Sequence, residues 1–160
     1  MAGIAGSGGP GSALACRQAG GPCIIHTMLP TPEDHVAIGH LLARYCLLLD
    51  LDDIDAWVEL FTPDASYVVF GRSWEGHDGL RKMMRGAPRG LHLGGPPLID
   101  MVSADAATTM QNLLFAEAGT GMLRRSVYTD ELRRTADGWR ISTRRCRFIV
   151  PAGLSDRPEE

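Results

Sequence analysis

His92 is the residue of this sequence whose type and setting are best suited to base catalysis. It lies between Leu91 and Leu93, and alternation along a strand turns its side chain to the face opposite these two leucines. An imidazole titrates near neutral pH, so it can act as a general base when a partner on its second ring nitrogen fixes the tautomer. The alternative is a surface histidine or a hydrogen-bonded histidine of the core.

Asp50 is the second candidate, because it is an acid that helix capping does not explain. It is one of four acids within six positions, and the pair Asp52 and Asp55 predicts a capping box at the start of a second helix. Asp53 favours the first turn of that helix. Asp50 lies one turn after Cys46 on a face that is predicted to be buried, where a carboxylate requires a partner. Alternatively, Asp50 ends the first helix in a solvated turn. A metal site would need a third ligand, which the sequence does not offer, so no metal is predicted.

Arg144 is the third candidate, and it lies on the last long predicted strand. Alternation places Arg144, Cys146 and Phe148 on one face and the flanking arginines Arg145 and Arg147 on the other. An arginine that faces inward could hold a leaving anion or a developing oxyanion. Alternatively, its charge lies on an exposed face or in a subunit contact.

Three helices are predicted to position these residues. Thr31 as N-cap, Pro32 and Asp34 predict a first helix that runs to about Leu49 and is covered on most sides. A second helix is predicted from about residue 53 to 61. After a predicted strand over residues 65–71, the segment that begins at residue 75 predicts a short third helix.

Four strands follow the helices in the predicted order. They cover residues 91–102, with a bulge or bend at 94–97, and then residues 107–118, 122–135 and 139–150. Helices first and a meander of long strands afterwards are typical of the α+β class. The predicted fold is a curved antiparallel sheet that wraps around three N-terminal helices.

Composition limits the domain count and the classes of partner. The chain has 160 residues, a net charge of −3 and four cysteines without zinc spacing. These values predict one domain over residues 31–151, disordered tails over 1–30 and 152–160, and reduced thiols in a cytoplasmic protein. They indicate neither a nucleic-acid partner nor a membrane span.

The sequence resembles the SnoaL-like branch of the nuclear transport factor 2-like superfamily. The resemblance rests on Tyr45–Asp50, on Trp57–Ala65, on Glu75–Gly76, on Val127–Leu132 and on Asp137–Ser142. It implies a cone-shaped, cystatin-like fold in which the sheet and three helices enclose an apolar pocket. It also implies a homodimer or homotrimer, because the outer face of the sheet commonly pairs in this superfamily.

Within that superfamily, hexachlorocyclohexane dehydrochlorinase is the nearest enzyme in motif. The resemblance implies that Asp50 orients His92 and that Arg144 faces the pocket as a third catalytic residue. It also implies a set of substrate-binding residues, which comprises Tyr45, Leu113, Phe115, Ser126, Tyr128, Cys146 and Phe148.

The implied function is that of a cofactor-free lyase or isomerase that acts on a hydrophobic cyclic small molecule. In this reading His92 abstracts a proton, and Arg144, helped by Tyr128, stabilises the departing group or an enolate. The strand after His92 offers no second histidine, which disfavours a dehydration of the scytalone type. One alternative is a non-catalytic ligand-binding or dioxygenase-β-like structural subunit, and a minor alternative is a polyketide cyclase.

Overall fold

The computed structural model describes residues 28–158, which form an α+β domain of three helices and eight strands. The predicted tail over residues 1–30 lies outside the described residues except for its last three. The helices are α1 (Pro32–Asp50), α2 (Ile54–Val58) and α3 (Gly76–Met84). The strands are β1 (Phe61–Val69), β2 (Arg72–Glu75), β3 (Gly90–Gly94), β4 (Leu98–Ser103), β5 (Ala106–Glu117), β6 (Leu123–Thr135), β7 (Gly138–Val150) and β8 (Gly153–Ser155).

Helix α1 begins as its sequence predicts. The Thr31 side chain accepts a hydrogen bond from the backbone N–H of Asp34, and Pro32 occupies the first turn. The helix is covered less completely than predicted, because Leu47 is 57% exposed. None of the helices in the described part of the chain is long and apolar enough to cross a membrane.

The N-cap of α2 is Asp53 and not Asp52, which corrects the predicted capping box. The Asp53 carboxylate accepts a hydrogen bond from the backbone N–H of Ala56. Asp52 instead adopts a left-handed backbone conformation with φ of 59° in the turn between the helices, and its carboxylate pairs with Arg89. Helix α2 is also shorter than predicted, since Phe61 already begins β1.

The sheet is mixed, whereas the prediction was an antiparallel sheet. Its main path runs in the order β2-β1-β7-β6-β5-β3. Strands β5, β6 and β7 form the predicted antiparallel meander, but β1 pairs with β7 in parallel, with Ser66 opposite Thr143. This parallel pair brings a strand from the start of the domain against the last long strand.

Two strand boundaries also differ from the prediction. The segment predicted as one strand over residues 91–102 is two strands, because Pro96 and Pro97 separate β3 from β4, and both pair with β5. The predicted disordered tail over residues 152–160 contains β8, which pairs with β7. In addition, Met28 forms an isolated bridge with Met101.

The core lies between α1, α2 and the inner face of the sheet. Trp57 is fully buried, and its ring lies 4.9 Å from that of Phe61 and 5.7 Å from that of Tyr45. Burial of each aromatic side chain of this kind stabilises the fold by about 1.5–3 kcal/mol. This cluster fixes the C-terminal half of α1, which carries Asp50, against the sheet.

The other end of α1 is tied to the sheet through Asp34. Its carboxylate accepts hydrogen bonds from Arg134 at 2.6 Å and from the indole N–H of Trp139 at 3.1 Å. These bonds, with that from Arg134 the stronger cause, hold the pKa of Asp34 below its ordinary value of 3.8.

Asp34→Asn is expected to lower the free energy of unfolding by about 1–2 kcal/mol at neutral pH, because the bonded groups lose their charged acceptor. Since the folded state lowers the pKa of Asp34, its stabilisation is present above 3.8 and is lost as the pH falls below that value. Urea unfolding at about pH 7 and about pH 2.5 checks this, because the difference in stability between the two proteins should be smaller at the lower pH. The control is Asp105→Asn, which removes an exposed carboxylate 3.5 Å from Arg134. An equal loss in this control would contradict the prediction.

Candidate active site

Asp50 and His92 form a hydrogen-bonded pair where the end of α1 meets β3. The ring Nδ1 of His92 lies 2.7 Å from Oδ1 of Asp50, and the backbone N–H of His92 donates to both carboxylate oxygens, at 3.0 and 3.2 Å. A carboxylate can only accept, so Nδ1 of His92 is the donor, and in the neutral form of the imidazole the lone pair is then on Nε2. The two side chains are 13% and 19% exposed, for His92 and Asp50 respectively. The pair therefore fixes the orientation of the ring and leaves Nε2 as the nitrogen from which the imidazole can act as a base.

His92 lies in the wall of a cavity of about 400 Å³. The buried part of the wall is mainly apolar and aromatic. Its exposed rim is formed by the turn between β1 and β2 and by the residues around the end of α3. The buried lining residues are Tyr45, Tyr67, Leu113, Phe115, Ser126, Tyr128, Cys146 and Phe148. A cavity of this size and lining suits an apolar small molecule.

Phe115 connects the imidazole to the remainder of the wall. Its ring centroid lies 4.7 Å from that of His92. The guanidinium carbon of Arg124 lies 5.6 Å from the same Phe115 centroid. Arg124 also pairs with Glu117 at 3.2 Å. The packed aromatic ring limits rotation of the imidazole, which supports the orientation that Asp50 gives it.

Arg144 lies behind the cavity wall and does not line the cavity, which corrects its expected place in the pocket. The side chain is fully buried, and Nε and Nη2 each donate to the Asp130 carboxylate at 2.7 Å. Its guanidinium carbon lies 3.9 Å from the ring centroid of Tyr45 and 4.4 Å from that of Tyr128. Burial alone would lower the pKa of Arg144, but the adjacent Asp130 carboxylate raises it, so the group stays charged.

Three tyrosines of the cavity wall form a cluster, and two of them, Tyr45 and Tyr128, pack against that arginine. The hydroxyls of Tyr45 and Tyr67 are 3.1 Å apart, and the ring of Tyr128 meets those of Tyr45 and Tyr67 edge-on. Burial raises the pKa of all three phenols, and the nearby Arg144 charge opposes that rise only in part. The phenols are therefore neutral at physiological pH and can donate hydrogen bonds.

The family follows from a profile comparison. A profile of the SnoaL-like domain matches residues 30–145. The chain belongs to the SnoaL-like domain family. None of the curated proteins matches it. The match includes both members of the Asp50–His92 pair and every lining residue of the cavity except the last two in sequence, Cys146 and Phe148.

Solved structures agree with the SnoaL-like assignment. An NTF2-like protein with a cystatin-like fold from Novosphingobium aromaticivorans is 28% identical, covers 76% of this chain and 86% of its own, and has a TM-score of 0.67. A protein of unknown function from Mycobacterium tuberculosis is 29% identical, with 71% and 74% coverage and a TM-score of 0.65. A type 2 hexachlorocyclohexane dehydrochlorinase is 19% identical, with 74% and 86% coverage and a TM-score of 0.66, which shows a shared fold. The predicted superfamily and the α+β, cystatin-like fold are thus confirmed.

Apart from Arg144, the structure places every site residue predicted for this SnoaL-like domain at the cavity or the dyad. All seven residues predicted to bind substrate lie in the wall. The prediction missed Tyr67, although its alternation with Ala65 on β1 indicates the same inward face. It also missed three cationic side chains of the lining, Arg72, Lys82 and Arg124. In the described part of the chain, no group of three His, Cys, Asp or Glu side chains is placed to hold a metal ion.

The cavity thiol of this SnoaL-like domain is not activated. Cys146 is 4% exposed, and burial raises its pKa to about 11. A thiol is nucleophilic only as the thiolate, so Cys146 contributes an apolar surface and no nucleophile at neutral pH. His92 is therefore the better candidate for the reacting group.

Proposed function

We propose that the protein is a cofactor-free lyase or isomerase that removes a proton from an apolar cyclic small molecule. The observation that carries the proposal is the 2.7 Å bond between the His92 ring and Asp50 in the wall of an apolar cavity. A fixed neutral imidazole is the usual general base of enzymes at neutral pH. The family alone does not choose this function, because a shared fold hosts unrelated activities.

In the proposed reaction, the lone pair on Nε2 of His92 takes a proton from a carbon atom of the substrate. The electrons of that C–H bond form a new double bond. They either expel a leaving group, which is elimination, or move to an adjacent π-system that is protonated again elsewhere, which is isomerisation. Asp50 holds the ring in place and stabilises the imidazolium that forms, as the carboxylate of a catalytic triad does.

Arg144 has a different proposed role from the one expected. The guanidinium of Arg144 is paired with Asp130, packs against the rings of Tyr45 and Tyr128, and does not line the cavity. The phenols of Tyr45, Tyr67 and Tyr128 line the cavity instead. One of the Tyr45 and Tyr67 hydroxyls donates to the other, and the O–H groups that this bond does not use can donate to a ligand. We assign to them the hydrogen bonding of a substrate oxygen, and to Arg144 the positioning of Tyr45 and Tyr128.

The test is the cleavage of 5-nitrobenzisoxazole, an apolar bicyclic probe that opens when a base removes its ring C–H proton. The unmodified protein is expected to accelerate the absorbance change, and His92→Gln is expected to return the rate to that of protein-free buffer. His40→Gln, which removes an exposed imidazole on α1 outside the cavity, is the control.

If the His92→Gln variant kept the unmodified rate, His92 would not be the base and the proposal would fail. If no acceleration occurred with this probe or with a panel of cyclic ketones and cyclic halides, the non-catalytic ligand-binding role would be favoured instead. Folding of each variant is checked by its thermal unfolding midpoint.

A further inference from the structure

The cavity has an unusual balance of charge. Its lining contains three cationic side chains, Arg72, Lys82 and Arg124, and no aspartate or glutamate. The complete chain, in contrast, has a net charge of −3. The positive character is therefore local to the cavity and does not reflect the composition of the chain.

Two of these cations lack a counterion among residues 28–158. Arg72 and Lys82 are exposed at the rim, and no carboxylate of the described chain lies within ion-pair distance of either. In the neighbouring surface groove, by contrast, three arginines are accompanied by three aspartates. There Arg81 pairs with Asp55 at 3.2 Å, and Arg89 pairs with Asp52. The uncompensated charge thus belongs to the rim of the cavity.

The third cation lies deeper and is neutralised. Arg124 is 20% exposed and pairs with Glu117, and its guanidinium lies against the Phe115 ring, which contacts His92. It therefore shapes the wall beside the dyad and adds little net charge. Attraction of an anion falls mainly to Arg72 and Lys82. Charges at the rim of a low-dielectric cleft concentrate the electrostatic field in its opening.

We propose that the natural ligand is an apolar ring compound that carries an oxyanion group such as a carboxylate. The ring occupies the aromatic interior beside His92, and the oxyanion lies at the rim between Arg72 and Lys82. The guanidinium fork of Arg72 can bind a carboxylate through two hydrogen bonds, and Lys82 supplies a compact second charge. The inference deepens the proposed function and rests on it only in taking this cavity as the substrate site.

The test uses two fluorescent probes that differ by a single anionic group. 8-Anilino-1-naphthalenesulfonate carries a sulfonate, and N-phenyl-1-naphthylamine is its neutral counterpart. The unmodified protein is expected to bind the anionic probe more tightly than the neutral probe, and added salt should weaken only the former. Displacement of the neutral probe by 1-naphthoate and by 1-naphthamide repeats the comparison for a carboxylate and its neutral amide.

The variant is the double substitution Arg72→Gln and Lys82→Gln. It is expected to weaken binding of the anionic probe by about three- to tenfold, the range for two partly exposed charge contacts, and to leave the neutral probe unchanged. The control is Arg85→Gln with Arg125→Gln, which removes the same net charge from exposed positions outside the cavity. This control should change neither probe by more than about twofold.

Equal affinity for the anionic and neutral probes would overturn the inference, and so would an equal loss in the control. In that case the stems of Arg72 and Lys82 would serve only to cover apolar surface at the rim. Because these measurements record binding alone, their failure leaves the His92 rate test untouched. Conversely, a failed rate test would leave the preference for anions measurable.

Discussion

Arg144→Met is expected to lower the free energy of unfolding by about 3–5 kcal/mol, because it leaves the buried Asp130 carboxylate without its counterion. Both side chains are completely buried, and two hydrogen bonds of 2.7 Å join them. Asp130 keeps only the hydrogen bond from the Thr109 hydroxyl. Urea unfolding followed by tryptophan fluorescence measures the loss.

The matched control is Arg145→Met, the next residue along β7. Its side chain points to the other face and pairs with Asp156 in a half-exposed position, so a loss of about 1 kcal/mol or less is expected. The double variant Arg144→Met with Asp130→Leu removes both charges and should recover part of the loss, since an apolar pair can replace a buried ion pair. Similar losses of unfolding free energy for Arg144→Met and Arg145→Met would show that the buried ion pair stabilises the fold no more than the exposed one does.

Asp50→Asn is expected to lower the rate of probe cleavage by about 10²–10⁴-fold, within the range for losing correctly oriented acid–base catalysis. The amide has an N–H group where the carboxylate accepts from Nδ1, which favours the wrong tautomer of His92. It also removes the charge that stabilises the imidazolium. The measurement is the rate with 5-nitrobenzisoxazole at saturating and at low probe concentration.

The control for this prediction is Asp52→Asn, two residues away in the turn. The Asp52 carboxylate pairs with the exposed Arg89 and makes no hydrogen bond or ion pair with Asp50 or His92, so its loss should leave the rate unchanged. The double variant Asp50→Asn with His92→Gln should be no slower than the slower single variant, because residues that act as one unit are not additive. A rate for Asp50→Asn close to that of the unmodified protein would show that the Asp50 carboxylate has no role in the reaction.

Much of the fold could be predicted because its signals are local. Thr31, Pro32 and Asp34 define the start of α1, and the Asp137–Gly138 turn defines the hairpin of β6 and β7. The sequence indicated only a bulge or bend at residues 94–97, where the structure has a break between β3 and β4. Whether two prolines bend a strand or divide it depends on the partner strand, and here both halves pair with β5.

The site was predicted less evenly, because its parts come from distant segments. The pairing of Asp50 with His92 came from the family resemblance, since nothing local relates residues that are 42 positions apart. The place of Arg144 was wrong because its partner is on another strand. Asp130 lies directly opposite Arg144 in the register of β6 and β7, and that register is a property of the folded sheet.

The two cations at the rim of the cavity could not be predicted from the sequence either. Arg72 and Lys82 belong to β2 and α3, whose sequences give no reason to place them together. A charged residue on a short strand or helix is typical of a solvated surface. Only the folded arrangement brings them to one cavity, whose lining contains no aspartate or glutamate.

The parallel pairing of β1 with β7 has a consequence for folding of the chain during its synthesis on the ribosome. Helix α1, β1 and its neighbour β2 are synthesised early, but β1 cannot receive its second partner, β7, until Thr143 and its neighbours have emerged. Such long-range closure slows folding and leaves an unpaired edge that can associate with other chains. We therefore expect nascent chains that stop before β7 to need chaperones, and the cavity to form only in the final step of synthesis.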